Sequence, residues 1–414
     1  MKCFKKKSIV FIIIIYIFSN FNYSFADDIE NSNLDYNNII ETSSSDASEL
    51  NINARSCIVL DRLSKNILYG KNEFNKVKMA STTKIMTATI IIENCDLNKT
   101  IEVSKKAAGT GGSRLGLKIG DKITIRDLLY GLMLCSGNDA AVALAESCSG
   151  TIQEFSNLMN QKAKELGLNN THFESPHGLD SDNHYTTAYE LAILSDYALQ
   201  NKTFFNIVGT KNYTVTINGY PKILSNTNEL LGNLLGVYGI KTGFTNGSNR
   251  CLVTACKRDD MDIICVVLGC DTKKDRTRDS INLLNYVFNN FSVINVKDII
   301  IKNFEEWKEL HKNSFVIYKG VSNNLELYLD SQGFLFTHIA VNKSSLNNIS
   351  ANIKFEESFE APLFSNTKIG EIQLCIDSAK YYGVDILNNN SIERKKILDY
   401  LFYIFKNYSL FFKE

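Results

Sequence analysis

Several features that would assign a protein to a common binding class are missing from this chain of 414 residues. It has no Cys-x-x-Cys pair, and His177 and His184 flank a loop rich in Gly, Asp and Asn without the spacing of zinc ligands, so we expect no metal and no other cofactor. Basic and acidic side chains are balanced at 45 each, and no Lys/Arg-rich face stands out, which argues against a nucleic-acid partner. The 44% hydrophobic content is typical of packed globular domains and excludes a disordered tail.

Ten cysteines are present, but their spacing does not form a disulfide framework. Cys3 lies in a segment that we expect to be removed, which leaves an odd number. Most of the others occupy apolar runs: Cys148 lies in a helical one, and four lie in strand-like ones, Cys57, Cys251, Cys265 and Cys375. We therefore expect small buried thiols, as in a protein from a reducing or anaerobic habitat, rather than disulfides.

The first 26 residues have the three parts of a secretory signal peptide. A basic start with four lysines precedes an apolar run at 9–18 and a small-x-small cleavage site at Ser24-Phe25-Ala26. An uncleaved membrane helix is the weaker alternative, because the run is well short of the ~20 apolar residues that span a bilayer. Four of the 45 basic residues are lost with this segment, which leaves 41 against 45 acidic ones. Residues 27–48, rich in Asp, Asn and Ser, are expected to form a flexible linker.

Residues 49–294 have the pattern of an α/β domain. Two strand-like runs at 56–60 and 66–69 precede a helix predicted at 81–93. Gly167 is expected to end one of three further helices, each of which begins where a threonine is followed three residues later by an acid, at Thr124, Thr151 and Thr187. A helix at 279–289 is preceded by strand-like runs at 213–217, 239–244, 251–256 and 261–268. Strands, then helices, then strands predict one sheet packed between helices.

The composition changes beyond about residue 295. Short alternating runs separated by Asn, Ser and Gly turns predict a small β-rich domain over 295–390, with strands near 325–329, 334–340, 353–355 and 371–376. The last segment, 391–414, carries apolar residues at helical spacing, interrupted by Asp399, Lys406 and Asn407. Those groups disfavour a spanning helix and favour an amphipathic helix in the lipid interface. A soluble helix folded onto the β-rich domain is the alternative.

The most informative residues are Ser81-Thr82-Thr83-Lys84, because they pair a hydroxyl nucleophile with an amine. Serine needs a base within hydrogen-bond reach, and the i,i+3 spacing on a helix puts Lys84 on the same face as Ser81. Lys84 can take the proton only when its amine is neutral, and burial beside a second cation such as Lys241 would lower its pKa in that direction. The Ser81 N–H, at a helix start, is free to point at an oxyanion.

Two further motifs supply the other groups needed for acyl transfer through a serine. Between two helical runs lies Ser136-Gly137-Asn138, in which the serine would relay a proton to the leaving amine and the asparagine would hold Lys84 and the substrate amide. An edge-strand pattern contains Lys241-Thr242-Gly243, whose glycine leaves room for a ligand, and the Phe244 N–H becomes the second oxyanion donor. Each motif alone is an ordinary cap or turn, but the three together predict a serine acyl-transfer enzyme.

Four stretches resemble the low-molecular-mass penicillin-binding proteins that are serine-type D-alanyl-D-alanine carboxypeptidases, namely residues 79–88, 135–141, 173–179 and 239–245. The resemblance covers most of the chain. It implies a penicillin-recognising α/β fold with an antiparallel sheet flanked by helices, then a small β-rich domain and a C-terminal amphipathic anchor helix. It also implies removal of the terminal D-alanine from peptidoglycan pentapeptide stems through an acyl-enzyme on Ser81, inhibition by β-lactams, export, and a place on the outer face of the cytoplasmic membrane.

The same resemblance assigns roles to individual residues. The catalytic group would be Ser81, Lys84, Ser136 and Asn138, and the substrate would be bound by Lys241, Thr242, Gly243, Phe244 and Thr245. The family's basic residue for the substrate's terminal carboxylate matches Arg276, with Arg278 a nearby rival. Met79 departs from the family, which usually has proline two residues before the nucleophile. In the C-terminal domain only short stretches such as 361–363 and 368–370 are similar.

Two other functions compete with this interpretation. A class A β-lactamase uses similar versions of the three motifs plus a glutamate that activates the deacylating water, and Glu165 with Asn169 fits its Glu-x-x-x-Asn spacing. The context argues against it, because Glu165 ends a capped helix and a lactamase has no use for a second domain and a membrane helix. The second alternative is a non-catalytic sensor of β-lactams or muropeptides, and the intact motifs argue against it.

Overall fold

The computed structural model describes residues 50–334 and 336–411, and the chain divides into two compact units after Asn289. The expected signal peptide at 1–26 and linker at 27–48 lie outside the described residues. The division falls slightly before the boundary at 294/295 that composition suggested, because Phe291–Asn295 forms a strand that pairs with a strand of the second unit.

The first unit is built on one antiparallel sheet. Its described strands are β1 (Ser56–Asp61), β2 (Ile67–Lys71), β3 (Thr100–Glu102), β4 (Lys122–Thr124), β5 (Asn212–Ile217), β6 (Tyr220–Ser225), β7 (Val237–Thr245), β8 (Asn249–Arg258) and β9 (Met261–Cys270). Five of them form the main sheet in the order β2-β1-β9-β8-β7, with each neighbouring pair antiparallel. Nearly every residue of β1 and β9 is buried whichever face it points to, so both faces of the sheet are covered. Strand β7 is at the edge, where one of its two hydrogen-bonding sides is not paired within the sheet.

Helices cover this sheet, and their local signals confirm the predicted starts. The described helices of the unit are α1 (Lys84–Asn94), α2 (Lys105–Ala108), α3 (Ile125–Met133), α4 (Asn138–Ser149), α5 (Ile152–Glu165), α6 (Ala188–Gln200), α7 (Lys202–Val208) and α8 (Lys273–Asn290). The side chains of Thr124, Thr151 and Thr187 each accept a hydrogen bond from the backbone N–H three residues later. Gly167, at φ +73°, follows the end of α5.

Two elements differ from the sequence prediction. The run at 213–217 does not join the main sheet, because β5 pairs with β6 in a separate, largely exposed hairpin. The prediction of one sheet was therefore wrong for this strand. Helix α8 begins at Lys273 rather than at 279, since the Thr272 hydroxyl accepts a hydrogen bond from the Asp275 N–H and caps an earlier turn.

Helix α1 lies in the middle of the first unit. Every residue from Lys84 to Ile91 is buried, and α1 contacts α3, α4, α5, α6 and α7. A helix that is covered on all sides lies in the core rather than on its surface. The start of α1 is consequently fixed by the packing of the whole unit, and this start carries the Ser-x-x-Lys motif.

The second unit contains a four-stranded antiparallel sheet, but it is not purely β. Its described elements are β10 (Phe291–Asn295), α9 (Val296–His311), β11 (Val316–Tyr318), β12 (Leu327–Leu329), β13 (His338–Asn342), β14 (Ile349–Phe355), β15 (Ser358–Glu360), β16 (Lys368–Ile376), β17 (Ala379–Asn388) and α10 (Ile397–Phe411). The sheet order is β12-β17-β16-β14. Helix α9 was not among the elements expected in this β-rich domain, although its signal was present in the sequence. The Asn295 side chain caps it, and Val296, Ile300 and Phe304 are buried at helical spacing.

The last helix, α10, confirms the helical pattern expected near the C-terminus, but the segment before it belongs to the β-rich domain. Ile392 is buried and bridges to Leu363, and the Lys395 N–H donates to the Lys319 carbonyl. Within α10 the side chains of Ile397, Phe402 and Phe405 are at least 70% exposed. Among the described residues, no helix combines the length and the apolar content needed to cross a membrane.

Candidate active site

The predicted nucleophile, Ser81, lies in a 3₁₀ turn, Ala80–Thr83, that leads directly into α1. The sequence predicted a single helix from 81, and the structure replaces its first turn by this tighter one. Residues three apart eclipse each other in a 3₁₀ turn, so Ser81 and Lys84 still share a face. The turn is held by the Thr83 hydroxyl, which donates to the Ala80 carbonyl at 2.8 Å.

Lys84 is fully buried, and its Nζ contacts three oxygen atoms. It lies 2.8 Å from Ser81 Oγ, 2.7 Å from Asn138 Oδ1 and 2.9 Å from the His177 carbonyl oxygen. Burial, reinforced by the nearby charge of Lys241, holds the pKa of Lys84 well below the usual value for lysine. In the neutral form the amine has a lone pair, so the contact with Ser81 can reverse and the hydroxyl can donate to the amine. This is the geometry that a general base for Ser81 needs.

Asn138, the first residue of α4, is fixed on both ends of its amide. Its Oδ1 accepts from Lys84, its Nδ2 donates to the Gly111 carbonyl at 2.8 Å, and its backbone N–H donates to the Ser113 carbonyl at 2.8 Å. Ser136, two residues earlier, is nearly buried and has φ +59°, a left-handed conformation that is uncommon outside glycine. Its loop lies between α3 and α4, as the sequence predicted.

Asp139 is a positioning residue that sequence analysis did not single out. Its carboxylate is fully buried and accepts the backbone N–H groups of Leu115, Gly116 and Leu117 at 2.7–2.9 Å. Three such bonds satisfy a buried carboxylate and pin the 111–117 segment against the start of α4. The only sequence signal was its place directly after Asn138, because the N–H donors are more than twenty residues away.

The Lys-Thr-Gly motif lies on the edge strand β7, beside the nucleophile turn. Lys241 and Thr242 are buried, and the Thr242 hydroxyl is 2.7 Å from the Thr227 hydroxyl. A Cβ added to Gly243 would lie 3.1 Å from the Ser81 backbone N, so the absence of a side chain lets β7 approach the turn. The sequence prediction is that this glycine leaves room for a ligand, and the structure adds that a side chain here would crowd the nucleophile turn. Thr245 is held by Asp180, whose Oδ1 accepts from its hydroxyl at 2.6 Å.

The two arginine candidates have different surroundings. Arg278 is 39% exposed and pairs with Asp275 at 2.9 Å and Asp279 at 3.4 Å on its own helix. Arg276 is only 2% exposed, and its Nη2 is 4.0 Å from Glu229 Oε1. A third arginine that the sequence did not suggest, Arg250 on β8, stacks over the Phe244 ring at 3.8 Å. Burial, with a smaller effect of the Arg276 charge, lowers the pKa of Arg250, so the two guanidinium groups are close enough for their charges to interact.

The nucleophile turn, the Ser136 loop and β7 all contribute to one small polar cleft. It is lined by Ser81, Ser113, Ser136, Thr227, Thr242, Gly243 and Phe244. The structure thus brings together five of the sequence-predicted residues, whereas Ser113 and Thr227 were missed because they lie in loops without a motif. Lys84, Asn138 and Lys241 adjoin the cleft through Ser81 and through their mutual electrostatic and hydrogen-bond contacts.

The histidine loop serves the site structurally. His184 Nε2 is 2.7 Å from the Thr83 hydroxyl, its Nδ1 accepts from the Glu174 N–H, and burial lowers its pKa to about 4. Gly178, at φ +84°, packs so closely that an added Cβ would lie 1.9 Å from the Ala80 carbonyl oxygen. The loop therefore packs against the nucleophile turn and helps to hold it in place. In the part of the chain that the structure describes, no three His, Cys, Asp or Glu side chains are arranged to hold a metal.

Glu165, the residue that a class A β-lactamase would use, is engaged on its own helix. It accepts from Gln161 Nε2 at 3.0 Å and pairs with Lys162 at 3.2 Å, and its side chain is 49% exposed. A general base for the deacylating water has to reach the acyl group directly or through one water. The contacts of Glu165 instead belong to the surface of α5.

Comparisons with known proteins agree with this geometry. A protein-family model described as D-alanyl-D-alanine carboxypeptidase matches residues 42–272, and one described as the C-terminal domain of penicillin-binding protein 5 matches residues 304–394. D-alanyl-D-alanine carboxypeptidase DacF of Bacillus subtilis is 33% identical over 338 residues, which cover 79% of this chain and 82% of that protein. The D-alanyl-D-alanine carboxypeptidase of Streptomyces strain K15 is 37% identical over 239 residues, 53% of this chain and 82% of its own.

Solved structures give the same result for the fold. The D-alanyl-D-alanine carboxypeptidase DacD of Francisella tularensis superposes with a TM-score of 0.68 at 25% identity, over 86% of this chain and 96% of that one. Penicillin-binding protein 5 of Haemophilus influenzae gives a TM-score of 0.67 at 26% identity, over 83% and 99%. The expected α/β fold with an antiparallel sheet, followed by a β-rich domain, is confirmed.

Proposed function

We propose that this chain, which belongs to the D-alanyl-D-alanine carboxypeptidase family, removes the terminal D-alanine of peptidoglycan pentapeptide stems through an acyl-enzyme on Ser81. One observation carries the assignment of roles: the Nζ of the fully buried Lys84 lies 2.8 Å from Ser81 Oγ. A serine hydroxyl beside a buried lysine with a lowered pKa is a nucleophile paired with its base. β-Lactams inhibit such an enzyme because they acylate the same serine.

Acylation starts with proton transfer from Ser81 to Lys84. The neutral amine takes the hydroxyl proton while Oγ attacks the carbonyl carbon of the D-Ala-D-Ala peptide bond. The carbonyl oxygen becomes an oxyanion, for which the N–H groups of Ser81 and Phe244 are the donors. Gly243 supports this step, since its lack of a side chain brings β7 close to the Ser81 N.

The leaving D-alanine needs a proton on its amine. Ser136 lines the same cleft as Ser81, so it is placed to relay the proton from Lys84 to that nitrogen. Asn138 fixes Lys84 through the 2.7 Å contact at Oδ1. When D-alanine leaves, water attacks the ester on Ser81 and the stem peptide is released with Ser81 and Lys84 restored.

The substrate's terminal carboxylate needs a positively charged partner beside β7. Arg276 suits this role better than Arg278, because Arg278 is committed to Asp275 and Asp279 on the helix surface. Arg250 adds a second guanidinium next to Arg276, and it stacks on Phe244, which lines the cleft. Two adjacent cations create a positive potential that attracts a carboxylate. Lys241, Thr242 and Thr245 would complete the substrate contacts along the strand.

Location follows from the substrate, which belongs to the cell wall. We propose that residues 1–26 direct export and that α10 holds the mature protein on the outer face of the cytoplasmic membrane. The support for an anchor is that Ile397, Leu398, Phe402 and Phe405 are each more than 60% exposed, so they do not pack on the β-rich domain. Arg394, Lys395 and Lys396 precede the helix and would favour anionic lipid.

The activity is tested by incubating the purified chain with a pentapeptide ending in D-Ala-D-Ala and measuring free D-alanine. We expect release by the wild type and by Ser149→Ala, a matched control at the end of α4, and none by Ser81→Ala. The expected loss for Ser81→Ala is on the order of 10⁴-fold or more. Penicillin labelling of the same three proteins should follow the same order. D-Alanine release by Ser81→Ala, or labelling of the wild type without any release, would contradict the proposal.

A further inference from the structure

Two cysteines outside the proposed chemistry lie at matching ends of the two helices that carry it. Lys84 begins α1 and Asn138 begins α4, and their side chains meet at 2.7 Å. The two helices pack against each other. Cys95 directly follows the last residue of α1, and Cys148 is the penultimate residue of α4.

Helix geometry brings these two cysteines together. At about 1.5 Å of rise per residue, Cys95 lies roughly 16 Å along from Lys84 and Cys148 roughly 15 Å along from Asn138. The two cysteines therefore lie at about the same distance along two helices that pack against each other. The structure agrees, because each thiol is the main side-chain influence on the pKa of the other. Both are free, and both are partly exposed at the edge of the apolar core.

We propose that Cys95 and Cys148 form a disulfide when the folded protein meets a disulfide oxidant. This differs from the sequence expectation of buried thiols rather than disulfides, which was based on spacing along the chain and on apolar runs around most of the cysteines. A pair separated by about 50 residues has no recognisable sequence pattern. The inference does not depend on acyl transfer, so it stands or falls separately from the proposed function.

The reaction is ordinary thiol–disulfide exchange. The Cys148 thiolate attacks one sulfur of the oxidant R–S–S–R and releases the first R–S⁻. The Cys95 thiol loses its proton, attacks the Cys148 sulfur of this mixed disulfide, and releases the second R–S⁻. The two cysteines have then lost two protons and two electrons, and the oxidant has become two R–SH. The order of attack is supported by the effect of each thiol on the other, which lowers the pKa of Cys148 to about 7 and raises that of Cys95.

The bond would join the far ends of α1 and α4 and leave their catalytic ends untouched. It would close a loop of about 50 residues, which removes conformational freedom from the unfolded chain. We expect the midpoint of thermal unfolding of the first unit to rise by roughly 5–15 °C. The acylation rate should change by less than about twofold, because Ser81, Lys84 and Asn138 keep their contacts.

The test exposes the reduced, purified mature chain to oxidised glutathione, alkylates the remaining thiols and maps the peptides by mass spectrometry. We expect a mass loss of ~2 Da before alkylation, two fewer alkylated cysteines and a Cys95–Cys148 linked peptide, as thiol–disulfide exchange predicts. Cys95→Ser and Cys148→Ser should abolish the link, and Cys375→Ser, in the second unit, should keep it.

Thermal unfolding separates a bond within the fold from an accidental one. The oxidised wild type and Cys375→Ser should melt at the higher temperature, and dithiothreitol should reverse the gain. If Cys95 and Cys148 remain fully alkylatable after oxidation, or if glutathione stays attached to Cys148 without resolution by Cys95, the proposal is overturned. A linked peptide that lowers the melting temperature would also overturn it, since the bond would then need a distorted fold.

Discussion

Lys84, Lys241 and Arg276 in the first unit are cations that are at most 2% exposed, whereas Ile397, Phe402 and Phe405 in the second unit are apolar and at least 70% exposed. Both sets reverse the usual distribution of polar and apolar side chains. A buried ammonium group costs free energy unless it is paired or neutral, so Lys84 is surrounded by acceptors and its pKa is lowered. Exposed apolar side chains on a helix form a surface that would be stabilised if a membrane or another partner covered it.

The two units depart from the usual pattern for different reasons. In the first unit the fold uses burial to change the chemistry of a side chain, and removing the burial would return an ordinary lysine. In the second unit the fold leaves a surface available for something outside the chain. The first kind of departure should be sensitive to single substitutions, and the second should be sensitive to removal of a whole segment.

Among changes to these two unusual sets of side chains, the largest effect is expected for Lys84→Arg. Arginine keeps the positive charge but stays protonated, so it cannot accept the Ser81 proton. Acylation by a fluorescent penicillin should slow at least ~10²-fold, the range typical of a lost general base. Lys162→Arg, on the surface of α5 where Lys162 pairs with Glu93 at 2.9 Å, is the matched control and should acylate normally. Near-normal acylation by Lys84→Arg would show that another group is the base.

Next comes removal of α10 by ending the chain after Lys396. This end keeps Ile392 and Arg394, which bridge to Leu363 and Gly320 and belong to the β-rich domain. Each apolar side chain that is fully buried in lipid contributes roughly 1.5–3 kcal/mol, so loss of several should abolish binding to the membrane. We expect the shortened protein in the soluble fraction with unchanged penicillin labelling. In vesicle sedimentation, full-length protein should pellet with anionic vesicles.

A shortened protein that still sediments would show that α10 is not the anchor. Loss of the cooperative unfolding of the second unit would show that α10 is part of its fold. Phe402→Asp with Phe405→Asp in the full chain provides a second route to the same question, because it keeps the segment and removes only its apolar character.

A smaller effect is expected on the pH profile when Lys241 is changed to Gln. The charge of Lys241 disfavours the protonated form of Lys84, so its removal raises the pKa of Lys84. The acylation rate depends on neutral Lys84 and rises with pH through that pKa, which means that the rising limb of the profile should move to higher pH. The position of the limb, rather than the absolute rate, is the measurement, since Lys241 is also proposed to contact substrate. A limb that stays in place or moves to lower pH would contradict the coupling.

The smallest effect is expected for Glu165→Gln. Its carboxylate is half exposed and is engaged by Gln161 and Lys162, so the substitution should change the deacylation rate of the penicilloyl enzyme by less than about twofold. The decay of labelled protein over time measures this rate. A large fall in deacylation would revive the β-lactamase alternative.

Local signals were predicted well, because they depend only on neighbours in the chain. The threonine caps of α3, α5 and α6 and the glycine stop after α5 each involve residues within a few positions of each other. The run that forms β5 was assigned to the main sheet, whereas it pairs with β6, because the sequence of a strand does not specify which strand it pairs with. Helix α9 was missed although Asn295 and the spacing of Val296, Ile300 and Phe304 indicate a helix. The neighbouring runs all have strand patterns, and they favoured a β assignment for the whole segment.

The family, the three motifs and the i,i+3 pairing of Ser81 with Lys84 can be read from the sequence alone, since they are properties of residue order and of helix periodicity. Only the tertiary structure decided that Lys84 meets Asn138 and the His177 carbonyl, and that Arg250 lies beside Arg276. The same is true of Asp139 pinning a distant segment and of Cys95 touching Cys148. Each of these contacts joins residues that are far apart in the chain. Their proximity is set by how the helices and the sheet pack around α1, and no local pattern in the sequence encodes that packing.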